Sequence, residues 1–198
     1  VMPWNFPFWQ VFRFAAPTLM AGNAGLLKHA SNAPGCALAI ESIFEEAGFP
    51  KGLFGNLLIS GSDTEPIIKH DLIKAVTLTG SGAAGGAVAK TAGAHMKKSL
   101  LELGGNDAYL ILADADLEKA AEACTQSRLL NNGQSCIGAK RFILVPEIYD
   151  DFLAIFKEKM AAARMGDPME EDTDLGPMAR TNLRDELHEQ VSKSIEKG

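Results

Sequence analysis

Apolar positions recur along this chain with two periods. Over residues 8–20 they fall at Phe8, Val11, Phe12, Ala15 and Leu19, the spacing of one helical face, with Arg13 set among them as part of a face that reads as buried. Residues 34–47 have the same character. Ser31 or Asn32 stands ready as an N-cap and Gly48 as the stop. Between such stretches lie short apolar runs that predict strands: Leu26-Leu27-Lys28, then residues 54–60, 75–79, 98–103 and 108–112. A short helix is expected over residues 63–70. A glycine loop follows over 80–86, with a small-residue helix from there to about Ala94. Strands alternating with helices predict an α/β fold with a parallel sheet. After Asp114 the pattern shifts. Asp114-Ala115-Asp116-Leu117 opens a helix running toward Leu130, with acids at the positive end of its dipole. A strand over 142–145, an amphipathic helix over 149–163, a Gly/Pro/Asp-rich loop over 164–178 and a mixed-charge helix over 180–197 complete the chain. The change of pattern places a domain boundary near Gly105, giving domains 1–105 and 106–198.

Composition narrows the function classes. The 198 residues are 46% hydrophobic and 22% charged, ordinary values for a soluble globular protein. A formal net charge of −6, with no dense Lys/Arg cluster, argues against nucleic acid or an anionic membrane as partner. No apolar run approaches the roughly 20 residues that span a bilayer, and no signal peptide is recognisable. Three cysteines, an odd number, do not suggest a disulfide framework, so a reducing, cytoplasmic setting is expected. The chain starts at Val1 without an initiator Met and stops in a polar run, which reads as a piece of something longer.

The candidate chemistry sits in two stretches. Asn131-Asn132-Gly133-Gln134-Ser135-Cys136 offers a thiol in a small, polar, glycine-bearing setting. Upstream, Leu101-Glu102-Leu103-Gly104-Gly105 places a carboxylate between leucines, a setting that favours a raised pKa and base work. A thiol nucleophile with a carboxylate base suits covalent chemistry at a carbonyl carbon. Cys124, among small helical residues, reads as packing, and Cys36 as buried. A third stretch, Thr79-Gly80-Ser81-Gly82-Ala83-Ala84-Gly85, follows a strand and opens a helix. It satisfies by letter the G-x-G-x-x-G pattern that lets a backbone approach a pyrophosphate. That motif expects an acid further on to hold the ribose, and Glu102 is the one available. Motif and spacing alone therefore leave Glu102 open between cofactor and catalysis. The four histidines lack ligand spacing, so no metal site is expected.

The ordered set Pro3-Trp4-Asn5-Phe6-Pro7, Lys28, Gly80-Ser81 with Gly85, Glu102-Leu103-Gly104-Gly105, Gly133-Gln134-Ser135-Cys136 and Gly166-Asp167-Pro168 resembles the aldehyde dehydrogenase superfamily, within it most of all the succinate-semialdehyde dehydrogenases. The resemblance spans the chain but covers only the central part of a family member. It implies a Rossmann-like parallel sheet, part of the cofactor domain, followed by the beginning of the catalytic domain. It makes Cys136 the nucleophile and Glu102 the general base, and forms the oxyanion hole from the Asn5 side-chain amide and the Cys136 backbone N–H. It assigns Gly80, Ser81 and Gly85 to the phosphate loop, leaving Gly82 incidental. It gives Trp4, Lys28, Ser31 and the Leu103 backbone to the cofactor, NADP or NAD. A serine at position 31, where NAD-preferring members carry a Glu, favours acceptance of NADP; the competing reading is a helix cap. It also implies a homo-oligomer at full length.

Arg13 has two readings. Either its guanidinium is structural, pairing with an acid of the catalytic segment beyond this stretch or reaching water while its stem packs, or it binds the far carboxylate of a semialdehyde. The resemblance favours the second. Two rival functions remain: a cysteine hydrolase or acyltransferase, which would want a His base, and a nucleotide-binding module without catalysis.

Overall fold

The computed structural model describes residues Val1–Gly198, which divide into two compact units, Val1–Gly104 and Gly105–Gly198. In the first unit helices and strands alternate: α1 (Trp9–Met20), β1 (Gly25–Leu27), α2 (Pro34–Glu46), β2 (Phe54–Asn56), α3 (Thr64–Lys69), β3 (Ala75–Thr79), α4 (Gly82–Ala94) and β4 (Lys98–Glu102). The pairing is parallel, as the alternation predicts, but it is two by two: β1 with β2, and β3 with β4 in register from Ala75–Lys98 to Thr79–Glu102. The backbone of Val1 and Met2 hydrogen-bonds to both pairs. Met2 N–H donates to Lys28 C=O at 3.0 Å, and Thr79 N–H donates to Val1 C=O at 3.0 Å.

Two cores hold this unit. In one, Val11 and Ala15 of α1 meet Leu27, Ile40, Phe44 and Phe54, all almost fully buried. Phe44 is its hub, with ring centroids 4.8 Å from Phe54 and 5.5 Å from Phe12. Each such aromatic pair contributes about 0.5–1.5 kcal/mol beyond area burial. The other joins Ile68, Leu78, Val88 and Ala92, packing α3 and α4 on β3.

The second unit comprises β5 (Ala108–Ile111), α5 (Leu117–Leu129), β6 (Arg141–Leu144), a 3₁₀ turn at Pro146–Ile148, α6 (Tyr149–Ala162) and α7 (Thr181–Lys197). β5 and β6 pair in parallel. Ile111, Ala121, Cys124, Ile148 and Phe152 form its core, so Cys124 is packing as expected. Asp116 caps α5 by accepting from Lys119 N–H at 3.2 Å, where an acid also meets the positive end of the dipole.

Several local expectations are corrected. α2 takes Ala33, not Ser31 or Asn32, at its N-cap, because Pro34 supplies the preset φ of the first helical position. The second strand stops at Asn56, short of Ser60, and the Asn56 side-chain Nδ2 donates to Ala37 C=O and to Glu41 of α2. α4 begins at Gly82, inside the glycine stretch read as a loop, because Ser81 caps it there. Arg13 is exposed, and Cys36 is half-buried rather than buried. No helix is long and apolar enough to cross a membrane.

Candidate active site

The first unit gathers its predicted residues at the carboxyl ends of β1, β3 and β4. The Pro3–Pro7 loop, with Trp4 and Asn5 both half-buried, is fastened at both its ends to the residues just after β1. Met2 bonds Lys28, and His29 Nε2 lies 3.0 Å from Pro7 C=O. Ala30 N–H donates to His29 Nδ1 at 2.8 Å, so the proton must sit on Nε2, which donates to Pro7. Burial lowers the His29 pKa, with the Pro7 carbonyl opposing it, and burial likewise lowers that of Lys28. The ring is held neutral to anchor the loop that carries Asn5.

Arg13, from α1, reaches toward the strand ends. Its Nη2 is 3.4 Å from Thr79 Oγ1 and 3.9 Å from Glu102 Oε2. Both partners are near half exposed, at 45% and 53%, so this ion pair is worth under about 1 kcal/mol. The apolar enclosure expected for Glu102 from its leucine neighbours is therefore not built within this unit. Arg13 and Glu102 line a cavity of about 310 Å³ together with Gln10, Thr77, Thr79 and Leu100. Gln10 is a residue the sequence reading missed. It is only 4% exposed and its Oε1 has no partner. A glutamine between Trp9 and Val11, one turn before Arg13, was the available signal.

The glycine stretch resolves into separate jobs. Ser81 Oγ accepts from Ala84 N–H at 3.3 Å, capping α4. Gly80 N–H donates to Glu102 C=O at 3.0 Å, so the loop is tied to the end of β4. Gly85 lies tight against Leu103: a Cβ there would lie 2.7 Å from Leu103 Cδ2, so the leucine side chain would have to shift. A Cβ on Gly82 would meet nothing within 4 Å, which leaves the helix N-terminus open to approach. An open, capped N-terminus of a 13-residue helix suits an anion. Ser31 is exposed and free of any capping role for α2.

In the second unit α5 ends at Leu129 and the chain turns through Asn131, Asn132 and Gly133, at φ of +53°, +56° and +73°. Asparagine and glycine are the residues that tolerate this left-handed region, so the turn is written into the sequence. Gly133 N–H returns to Leu130 C=O at 3.1 Å and Gln134 N–H to Asn131 C=O at 3.0 Å. Buried Ser135 and half-buried Cys136 follow. A distant loop braces the turn. Asn132 Oδ1 accepts from Gly176 N–H at 3.2 Å, its Nδ2 donates to Pro177 C=O at 3.3 Å, and Gln134 Oε1 accepts from Ala179 N–H at 2.9 Å. Gly176 in turn packs on Pro168, since a Cβ there would lie 3.3 Å from the proline ring. No cluster of His, Cys, Asp and Glu that could hold a metal is present.

The whole chain, residues 1–198, matches the model of the aldehyde dehydrogenase family. It is 52% identical over its full length to an aldehyde dehydrogenase of Paenarthrobacter nicotinovorans, covering 43% of that protein. It is 51% identical to the probable succinate-semialdehyde dehydrogenase [NADP(+)] of Synechocystis, covering 44% of it. Among solved structures, the succinic semialdehyde dehydrogenase of Streptococcus pyogenes in complex with NADP+ superposes on the whole chain with a TM-score of 0.96 at 38% identity, over 43% of that chain. The chain belongs to the aldehyde dehydrogenase family. It spans less than half the length of the curated relatives it matches.

Proposed function

We propose that the protein oxidises an aldehyde, succinate semialdehyde by preference, to the carboxylic acid with NADP or NAD. In this reading residues 1–105 are part of the nucleotide-binding domain and 106–198 the first part of the catalytic domain. The relatives' names support the substrate, and the observation that carries it is a cavity lined at once by Arg13 and Glu102. A guanidinium for the carboxylate end and a carboxylate base for the carbonyl end suit an aldehyde that is itself an anion.

The residues present fit a dinucleotide. The open N-terminus of α4 would meet its phosphates beside Gly80, Ser81 and Gly85. Lys28 and Ser31 would hold the adenosine ribose, and Trp4 and the Leu103 backbone would line its path. Ser31, exposed and not a cap, can donate to a 2′-phosphate that a carboxylate there would repel.

The Cys136 thiolate attacks the aldehyde carbon and forms a carbon–sulfur bond. Asn5 and the Cys136 N–H meet the oxyanion that develops, each such donor contributing about 2.7–4 kcal/mol of transition-state stabilisation. A dinucleotide held there would supply the hydride acceptor, and loss of the hydride from the carbon bound to Cys136 leaves a thioester on that residue. Glu102 takes a proton from water, the hydroxide adds to the thioester, and the acid departs as the thiolate is regenerated. A homo-oligomer at full length and a cytoplasmic location belong to the same proposal.

Following reduced nicotinamide with succinate semialdehyde tests it. Cys136→Ser should abolish the signal with cofactor binding intact. Aldehyde oxidation that survives this substitution would overturn the proposal.

A further inference from the structure

Two cations grip the backbone on either side of Cys136, and neither belongs to the residues assigned above. Arg128, in the last turn of α5, donates from Nη2 to Gly133 C=O and from Nη1 to Ala139 C=O, each at 2.7 Å. One planar fork thus ties together the two ends of the segment that carries the thiol. The fit is close. A Cβ on Gly133 would lie 3.1 Å from Arg128 Nη2, and one on Gly138 would lie 3.3 Å from Ser135 O. The neighbouring Ser127 Oγ accepts from Ala139 N–H at 3.1 Å and meets Tyr109 Oη at 2.7 Å, which fixes the same exit to β5. Lys140 Nζ donates to the carbonyl of Cys136 itself at 2.9 Å and to that of Gly105 at 2.7 Å. On the other flank of Cys136, Ser135 C=O accepts from Gly138 N–H at 3.3 Å. Both peptide planes that meet at the Cys136 Cα are therefore restrained. The plane through Ser135 C=O carries the Cys136 N–H.

We propose that Arg128 and Lys140 are positioning residues for the thiol, holding the peptide planes around Cys136 so that its Sγ and N–H face the same carbonyl group. The inference rests on Cys136 being the nucleophile. Neither cation touches the substrate; each acts through the backbone. Positioning of this kind shows in the chemical step and not in binding, and a displacement of about 1 Å is enough to cost up to a hundredfold.

The test uses the full-length protein and the pairs Lys140→Met with Lys140→Arg, and Arg128→Met with Arg128→Lys. Lys140 is exposed, so its variants fold even if those of Arg128 do not. Lys140→Met should lower kcat, and the single-turnover rate of nicotinamide reduction, about tenfold or more. KM for aldehyde and for cofactor should stay within about twofold of wild type, since binding is untouched. Lys140→Arg, which keeps two donors, should recover most of the rate. A wild-type kcat in Lys140→Met would overturn the inference. So would a rise in KM that accounts for the whole loss, or a loss that Lys140→Arg repeats in full. Cys136→Ser separates the two levels. Activity surviving in it sinks the functional reading, whereas a dead Cys136→Ser beside a fully active Lys140→Met sinks only the positioning role.

Discussion

Arg13 sits between two possible employments, and the geometry bears on which it holds. At 3.9 Å from Glu102 and 3.4 Å from Thr79, with both charged partners near half exposed, its contacts within the chain are loose. A guanidinium committed to structure would show short, paired bonds. One that lines a cavity with donors to spare can bind a carboxylate that enters. Arg13→Lys keeps the charge and loses the fork. For succinate semialdehyde, kcat/KM should fall by roughly tenfold to a hundredfold, the worth of a charged hydrogen bond of about 1.5–3 kcal/mol. For butanal it should barely change. Steady-state kinetics with the two aldehydes checks this, and equal losses on both would make Arg13 structural. Arg13 also shows why a helical pattern can mislead about depth. Val11 and Ala15 on the same helix are fully buried, yet the long side chain of Arg13 carries its head out to the strand ends.

At the scale of elements, two junctions invite substitution. Where α4 crosses the end of β4, Gly85 lies against Leu103. Alanine at 85 gains about 1 kcal/mol of helix propensity over glycine, and the Leu103 side chain, 38% exposed, has room to move. The two effects oppose, so the melting temperature of Gly85→Ala should stay within about 3 °C of wild type. Leu103 is displaced all the same, beside Glu102 and at the phosphate loop, so the Kd for NADP should rise; calorimetric titration reads it. The second junction is His29. Its ordinary pKa is 6.5 and burial lowers it in the folded state. The unfolded chain therefore binds the proton first as pH falls, and stability is lost progressively below pH 6.5 until the folded-state pKa is reached. The slope is at most about 1.4 kcal/mol per pH unit for this one group. Protonation would set an N–H on Nδ1 against the Ala30 N–H, so the Pro3–Pro7 loop is the first part to loosen. Denaturant titrations from pH 7.5 to 5 should show that slope in wild type and a shallower one in His29→Gln.

Across the molecule the three thiols lie at two depths. Cys124 is 3% exposed inside the second unit's core, and burial raises its pKa, which suppresses the thiolate that reacts. Cys36 and Cys136 are half-buried and free. Iodoacetamide should therefore modify Cys36 and Cys136 in the native protein and reach Cys124 only on unfolding. Peptide mass spectrometry along a denaturant series reads the order, and early labelling of Cys124 would contradict the packing described for α5 and α6.

Much was legible before any coordinates. Helical and strand periods placed every α-helix and strand of the fold, though not the 3₁₀ turn at Pro146–Ile148, and β3 was read to the residue, because a run of apolar residues bounded by polar turns has few alternatives. The turn before Cys136 was not read from the sequence, although Asn131, Asn132 and Gly133 are residue types that accept its positive φ. Boundaries set by partners far along the chain were not legible either. The start of α4 depends on which hydroxyl caps it, and the tie from the end of β2 to α2 on where the Asn56 amide finds an acceptor. The closing of a cavity around Gln10 and Arg13 by Thr77, Thr79 and Glu102, and the grip of Arg128 and Lys140 on the Cys136 segment, join residues far apart in the sequence or bonded through the backbone. Periodicity reports which face of an element is apolar, a property of neighbours in sequence. Where a long polar side chain ends, and which carbonyl it finds there, depends on how elements pack. Only the tertiary structure decides that.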